Sequence, residues 1–492
     1  MAIAASSHAF ADAADGAVLP EESASSKDPR QAGRDLYIAM QEHRRLGNGK
    51  DKPSPPIPFP PPSQERLAWL KKEQATDTSN RPYLVGLVET FTVDASTTDE
   101  VCVAAEGSDG VRIHVQAPPD TEAYIICDAN EVATKLEFGD EGETWSPTCP
   151  GEEICLRVMS ELGEGEVQIT EHTFVPYGDE SESIRRRLGG GRRLESLNCP
   201  VSDYRSCLVN SDCYSDAEPL RNAVAGYFYP AGDGYYQCSG ALISSSVHSN
   251  PLFFTAAHCI PNPAGAASAE FYGGARLSCG DPCTASTPFW NLPLEWGAYG
   301  STLKYYHDPT DIAILQLGAS EFLKDLSLDW SAEYVEDEIL RVAGYPLGGP
   351  QVYSSHVTTR NNGCIYPYGN YIHATNEIGA LASGSSGGPV INSNSQIVAV
   401  VSGRCNLKPN YCTNVKAFGR LSSNFGSELA ALLGPPPSPP TPATPTPNPA
   451  TPSPSPTGVG CVATCSPSDT SGICCGGQSC INKGNSGYKC RN

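Results

Sequence analysis

The chain has 492 residues, 20 of them cysteine, and a formal net charge of -22. Its length is that of roughly three domains. The acidic surplus argues against nucleic acid or an anionic membrane surface as partner, and no apolar run is long enough to span a bilayer.

The cysteines fall in even clusters: 4 between Cys102 and Cys155, 10 between Cys199 and Cys412, and 6 between Cys461 and Cys490. Even clusters suit disulfides closed within each block and an oxidising compartment, so an extracellular location is expected. Zinc is not favoured, because no Cys-x2-Cys pair is followed by a second ligand pair at finger spacing. Neither a metal nor a cofactor is expected. Met1 to His8 lack a basic region and a sustained apolar stretch, so no clear signal peptide is read there.

Residues 1–80 are polar and weakly periodic and read as disordered, with two short amphipathic helices, at Asp35–Met40 and Glu65–Leu70. The proline run between Pro53 and Pro62 excludes helix and central strand. From residue 81 to 178 short β-branched runs alternate with turn clusters, at Leu84–Val93, Val111–Val115, Ala123–Cys127 and Ile154–Val158. That rhythm predicts a β-sandwich with two bridges. His114 and His172 lie in this block and read as structural residues. Residues 179–196 carry Arg185, Arg186, Arg187, Arg192 and Arg193 around three glycines. Such a stretch is an exposed, protease-sensitive linker, with Arg187 and Arg193 as candidate processing positions.

Residues 197–433 repeat the strand pattern at Gly240–Ser244, Phe253–Ala257, Ile312–Leu317, Leu340–Ala343 and Ile397–Val401, and close on a helical Glu428–Leu433. The expectation is a mainly β domain of barrel or sandwich type. Residues 434–458 form a Pro/Thr/Ser linker, extended at about 3 Å per residue. Residues 459–492 are too few for a sufficient apolar core and rely on their cysteines. Cys461–Cys475, Cys465–Cys480 and Cys474–Cys490 is one of about fifteen pairings open to six cysteines.

The chemistry sits in the third block. Gly384-Ser385-Ser386-Gly387-Gly388-Pro389 offers a hydroxyl in a glycine turn that can also aim backbone N–H groups. Upstream, His258 ends an apolar run and Asp311 opens another, giving the order His, Asp, Ser. A serine hydroxyl does not attack a carbonyl unaided. His258 is the candidate general base, and Asp311 the group that fixes its tautomer. Gly384 and Ser386 N–H are the candidate oxyanion hole, worth about 3 kcal/mol per donor. A lipase-type site is discarded, since it needs the serine first in chain order.

Cys238-Ser239-Gly240-Ala241-Leu242-Ile243, Thr255-Ala256-Ala257-His258-Cys259, Asp311-Ile312-Ala313-Ile314-Leu315 and the Ser386 turn together resemble the chymotrypsin-like, or trypsin-like, serine peptidases. The resemblance covers about half the chain and implies two six-stranded barrels with a cleft between them. It also implies a Cys238–Cys259 bridge beside the base, and protein or peptide substrates. In finer pattern the chain is similar to the bacterial lysyl endopeptidase group, at Asn198-Cys199, Asn250–Thr255 and Phe418–Ser422. The 81–178 block, ending Cys149–Leu156, is similar to that group's propeptide, so a precursor is expected.

Two positions depart from trypsin. Ser385 stands where trypsin-like zymogens carry Asp, so activation by an inserted N-terminus is not expected. The acids that read a basic side chain would fall near Ala380 and near Lys416, and neither position is acidic. Weak cleavage after Lys or Arg follows. Lys416 or Arg404 would favour acidic residues if turned into the cleft; the alternative is that both face solvent. Ser402 and Gly403 are expected to pair with substrate backbone. The competing reading of the whole chain is an inactive homologue that binds through its cleft or its Cys-rich tail, whose ligand would be polysaccharide or protein.

Overall fold

Short β-branched runs become strands in the computed structural model, which describes residues 29–46, 55–75, 82–176, 207–405 and 414–435, with short gaps, and the backbone of three strands within 464–491. The described residues to 437 form one compact unit and those from 438 a second. The second unit pairs Thr464–Cys465 and Ser479–Asn482 with Tyr488–Arg491. The three pairings proposed for the tail cysteines lie outside the described residues, as do Arg187, Arg193 and the linker around them.

The third block is built from two closed barrels. In the first, Val224–Ala231 pairs with Gly234–Ile243, which pairs with Leu252–Ala256, which pairs with Ile312–Leu317. The next strand is bent. Ser301–His307 pairs with Ile312–Leu317, while Trp296–Tyr299 pairs with Glu270–Gly273, and that strand returns to Val224–Ala231. Gly300, at φ +69°, makes the bend that closes the ring. In the second barrel Ile339–Gly344, Val352–Thr359, Tyr371–Gly379, Lys416–Arg420, Ile397–Arg404 and Pro389–Ile391 pair in a complete circle. Leu340, Val342, Ile372, Val390, Val398 and Phe418 fill it. The helix Ser427–Leu433 lays Leu429, Leu432 and Leu433 on the first barrel.

Ahead of these barrels, two sheets enclose a core of Val103, Val111, Ile113, Ile125, Ile154 and Ile169. Disulfides Cys102–Cys155 and Cys127–Cys149 brace this sandwich. It is joined to the first barrel through backbone: Tyr83–Asp94 runs antiparallel to Gly234–Gln237, with Leu87 opposite Gly234 and Tyr83 opposite Gln237. Sandwich and first barrel therefore share one sheet.

The reading of residues 1–80 as disordered requires correction for its described parts. Pro29–Leu46 is an 18-residue helix and Gln64–Ala75 a second. Met40 packs against Tyr124 and Ile126, and Leu70 against Leu84 and Leu87. Phe59 stacks on His172 with ring centroids 3.7 Å apart. Each segment is held by one or two deeply buried anchors among polar residues, which leaves little periodicity to read.

Candidate active site

His258 lies in a 3-10 turn, Ala257–Cys259, at the end of the strand Leu252–Ala256. Asp311 opens the partner strand and adopts a left-handed conformation, φ 55° and ψ 42°. Aspartate tolerates that region better than most side chains, because its short carboxylate bonds locally. The geometry uses this. Asp311 Oδ1 accepts from the His258 backbone N–H at 2.8 Å, and Oδ2 lies 2.7 Å from His258 Nδ1. The Ala257 N–H donates to the Asp311 carbonyl at 3.1 Å. With the carboxylate accepting, the ring proton sits on Nδ1 and Nε2 keeps its lone pair. Nε2 is 3.7 Å from Cys259 Sγ, a disulfide sulfur with no proton to give.

The Ser386 turn belongs to the second barrel and is fastened to the first. Gly384 and Gly387 take φ of +92° and +85°, which only glycine adopts without strain. The Ser386 carbonyl accepts from the Ser239 N–H at 2.7 Å, and the Gly387 N–H donates to Val401 O at 2.8 Å. A Cβ on Gly387 would fall 2.2 Å from Ser239 O and from Thr255 Oγ1, and 3.0 Å from Ala256 N. The turn is thus pressed on the strand that delivers His258. The expected Cys238–Cys259 bridge is present and ties the neighbour of Ser239 to the neighbour of His258. From the other side, Gly419 approaches Thr310, whose carbonyl would lie 2.0 Å from an added Cβ.

Sequence reasoning missed Ser239. Its Oγ donates to Gly384 O at 2.7 Å and accepts from the Tyr345 N–H at 2.8 Å. Its carbonyl accepts from Thr255 Oγ1 at 2.8 Å, and Thr255 Oγ1 meets Tyr227 OH at 3.1 Å. Ser239 thus holds the Gly384 carbonyl against the first barrel. The only sequence signal was a hydroxyl beside a cysteine expected to bridge to the neighbour of His258.

The remaining candidates are placed as follows. Ala380 is fully buried, and Ser402 Oγ accepts from the Gly419 N–H at 3.2 Å. Gly403 sits opposite Ala417, next to the pair Arg404 and Lys416. Neither Arg404 nor Lys416 faces solvent: they are 4% and 1% exposed, and Lys416 Nζ donates to Leu381 O at 3.1 Å. His307 lies 2.8 Å from Thr310 Oγ1 through Nδ1 and so steadies the residue before Asp311.

Residues 201–416 match the family model described as lysyl endopeptidase, C-terminal domain. The match covers less than half of the chain and supports a serine endopeptidase domain, with a proteolytic function, over that segment. The chain is similar in structure to AL20, a thermostable serine protease from an extremophilic microorganism, at 15% identity and a TM-score of 0.31, over 43% of this chain and 94% of that one. It is similar to the active form of the Rv3671c protease of M. tuberculosis, at 18% identity and TM-score 0.32, over 49% and 95% of the two chains. It is also similar to the HtrA-type protease AlgW with decapeptide, at 12% identity and TM-score 0.32, over 44% and 67%. Among curated proteins none matches.

Proposed function

We propose that the chain is a secreted serine endopeptidase that cleaves peptide bonds through an acyl-enzyme formed on Ser386. His258 Nε2 takes the hydroxyl proton as the bond to the carbonyl carbon forms, then returns it to the leaving amine. Asp311 holds the ring and stabilises the imidazolium. The N–H groups of Gly384 and Ser386 receive the oxyanion. The observation that carries this reading is the doubly bonded Asp311–His258 pair, with the Ser386 turn bonded to Ser239 on the strand next to the one that leads into His258. Secretion is supported by five bridges among the described residues.

The N-terminal sandwich is proposed as a prodomain, with cleavage in the Arg185–Arg193 stretch. The C-terminal module is proposed to bind polysaccharide or a protein surface. Retention of the full chain on cellulose or chitin, lost on truncation after residue 458, supports the first of these ligands.

The test is covalent labelling by a fluorophosphonate probe. Labelling that maps to Ser386 and vanishes in Ser386→Ala and His258→Ala upholds the assignment. Absence of label on the processed protein leaves only the binding-protein reading.

A further inference from the structure

We propose that the N-terminal block stays a working part of the enzyme: Tyr83 and Val85 are positioning residues that hold the Gly384 N–H, the proposed oxyanion donor, through the loop Pro346–Gly348. This rests on the serine peptidase assignment above and names what keeps its oxyanion site in shape.

The first link is at the donor. In a trans peptide the C=O and N–H of one plane point in opposite directions. The Ser383 carbonyl shares its plane with the Gly384 N–H, and it accepts from the Leu347 N–H at 2.8 Å. Leu347 therefore fixes the plane that aims the donor. The fit around it is close. A Cβ on Gly384 would fall 2.7 Å from Tyr345 O, 3.1 Å from Gln237 Oε1 and 3.2 Å from Leu347 N.

The second link is the loop. Leu347 takes φ 56° and ψ 32°, a left-handed conformation that a leucine does not hold by itself. Its neighbours hold it. The Gly348 N–H donates to Gln237 Oε1 at 2.8 Å, and the Gly349 N–H donates to Pro346 O at 3.0 Å.

The third link is the N-terminal block. Gln237 lies directly opposite Tyr83 in the ladder that joins sandwich to barrel. A Cβ on Gly348 would meet Tyr83 Cε1 at 3.6 Å and Val85 Cγ1 at 3.7 Å, ordinary van der Waals distances. Residues two apart on a strand share a face, so both side chains brace the same loop. Val85 is buried in the same core as Tyr345 and Cys238. The register is locked from outside. The Val88 N–H donates to Asp233 O at 3.0 Å, and Arg66 of the helix Gln64–Ala75 reaches Asp233 Oδ2 at 2.9 Å and Glu89 Oε1 at 3.1 Å. A slip by one residue would turn Tyr83 and Val85 away from the loop.

The experiment compares full chains as secreted: wild type, Tyr83→Ala, Val85→Ala and Tyr83→Phe, which keeps the ring that meets Gly348. Fluorophosphonate labelling carried to completion counts active sites. Initial rates on fluorescein-labelled casein over a concentration range then give KM and kcat per labelled site. A variant that only loses stability yields fewer sites of normal kcat. The expected kcat per site falls roughly 10- to 100-fold in Tyr83→Ala and Val85→Ala, with KM within about twofold, and returns to wild type in Tyr83→Phe. Either alanine variant suffices should the other fail to fold. Unchanged or raised kcat per site, or a loss carried by KM, overturns this inference and leaves the peptidase assignment standing. A wild-type chain that does not label overturns both.

Discussion

Arg112 of the N-terminal sandwich and Glu270 of the first barrel face each other across the join, Nε to Oε2 at 3.8 Å, with 2% and 0% of their side chains exposed. Glu270 also accepts from the Thr148 N–H at 2.8 Å and from Tyr272 OH at 2.7 Å, and from Tyr235 OH and Thr148 Oγ1. Arg112 Nη2 donates to Ser268 O at 2.8 Å. Desolvation alone would lower the Arg112 pKa, but Glu270 and the nearby tyrosines outweigh it and hold the guanidinium charged. Removing one partner of such a pair strands the other. Arg112→Met is expected to destabilise the full chain by about 3–5 kcal/mol in urea unfolding, and Arg112→Met with Glu270→Gln by clearly less. Equal costs for single and double variants would show that the two charges are not coupled.

Asp311 separates geometry from charge. Asparagine tolerates the same left-handed backbone, so Asp311→Asn keeps the turn but supplies an amide where the ring needs an acceptor. The expected loss in kcat is on the order of 10⁴-fold with the fold intact. Asp311→Ala should also lose about 1 kcal/mol of stability, because alanine pays the left-handed cost without the local bonds. Parallel kinetics and thermal melts distinguish the two.

Ser239 holds the carbonyl of Gly384, whose N–H is a proposed oxyanion donor. Ser239→Ala removes the hydroxyl that bonds Gly384 O and Tyr345 N–H. We expect kcat to fall by roughly 10- to 100-fold with little change in KM, below the loss for deleting an oxyanion donor outright. A KM effect with kcat preserved would make Ser239 a binding residue instead.

His172 makes the sandwich acid-sensitive. Burial against Phe59 and beside Phe91 pushes its pKa from 6.5 down to about 4. The unfolded chain takes up a proton below pH 6.5 while the folded one does not, so stability is full above 6.5 and declines as pH falls toward 4. The loss over that window is about 3 kcal/mol. His172→Phe should flatten this part of the stability curve, measured as urea midpoints from pH 7.5 to 4. An unchanged slope would place the acid sensitivity elsewhere.

How much of this the chain reveals before folding depends on the kind of residue. His258, Asp311 and Ser386 are legible because each interrupts an apolar strand or a glycine turn with a group that has no packing reason to be there. The strands of both barrels are legible for the same reason, through β-branched runs and turn residues. Glu270 and Arg112 are not. A charged residue near an apolar run reads as a solvated end, and only partners from 122 and 156 residues away, Thr148 and Ser268, reveal the burial. Lys416 was legible in position but not in orientation, since its burial depends on a carbonyl 35 residues upstream.

The strand Tyr83–Asp94 covers backbone groups of Gly234–Gln237 that would otherwise face water unpaired. Cleavage between the two blocks leaves this ladder and the Arg112–Glu270 pair in place, so the fragments should elute together yet run apart on a reducing denaturing gel. Stripped of the sandwich, the first barrel would present an open rim to any extended polypeptide, another copy of itself included. Preparations of residues 197–433 alone should therefore self-associate as concentration rises, where the intact chain stays dispersed.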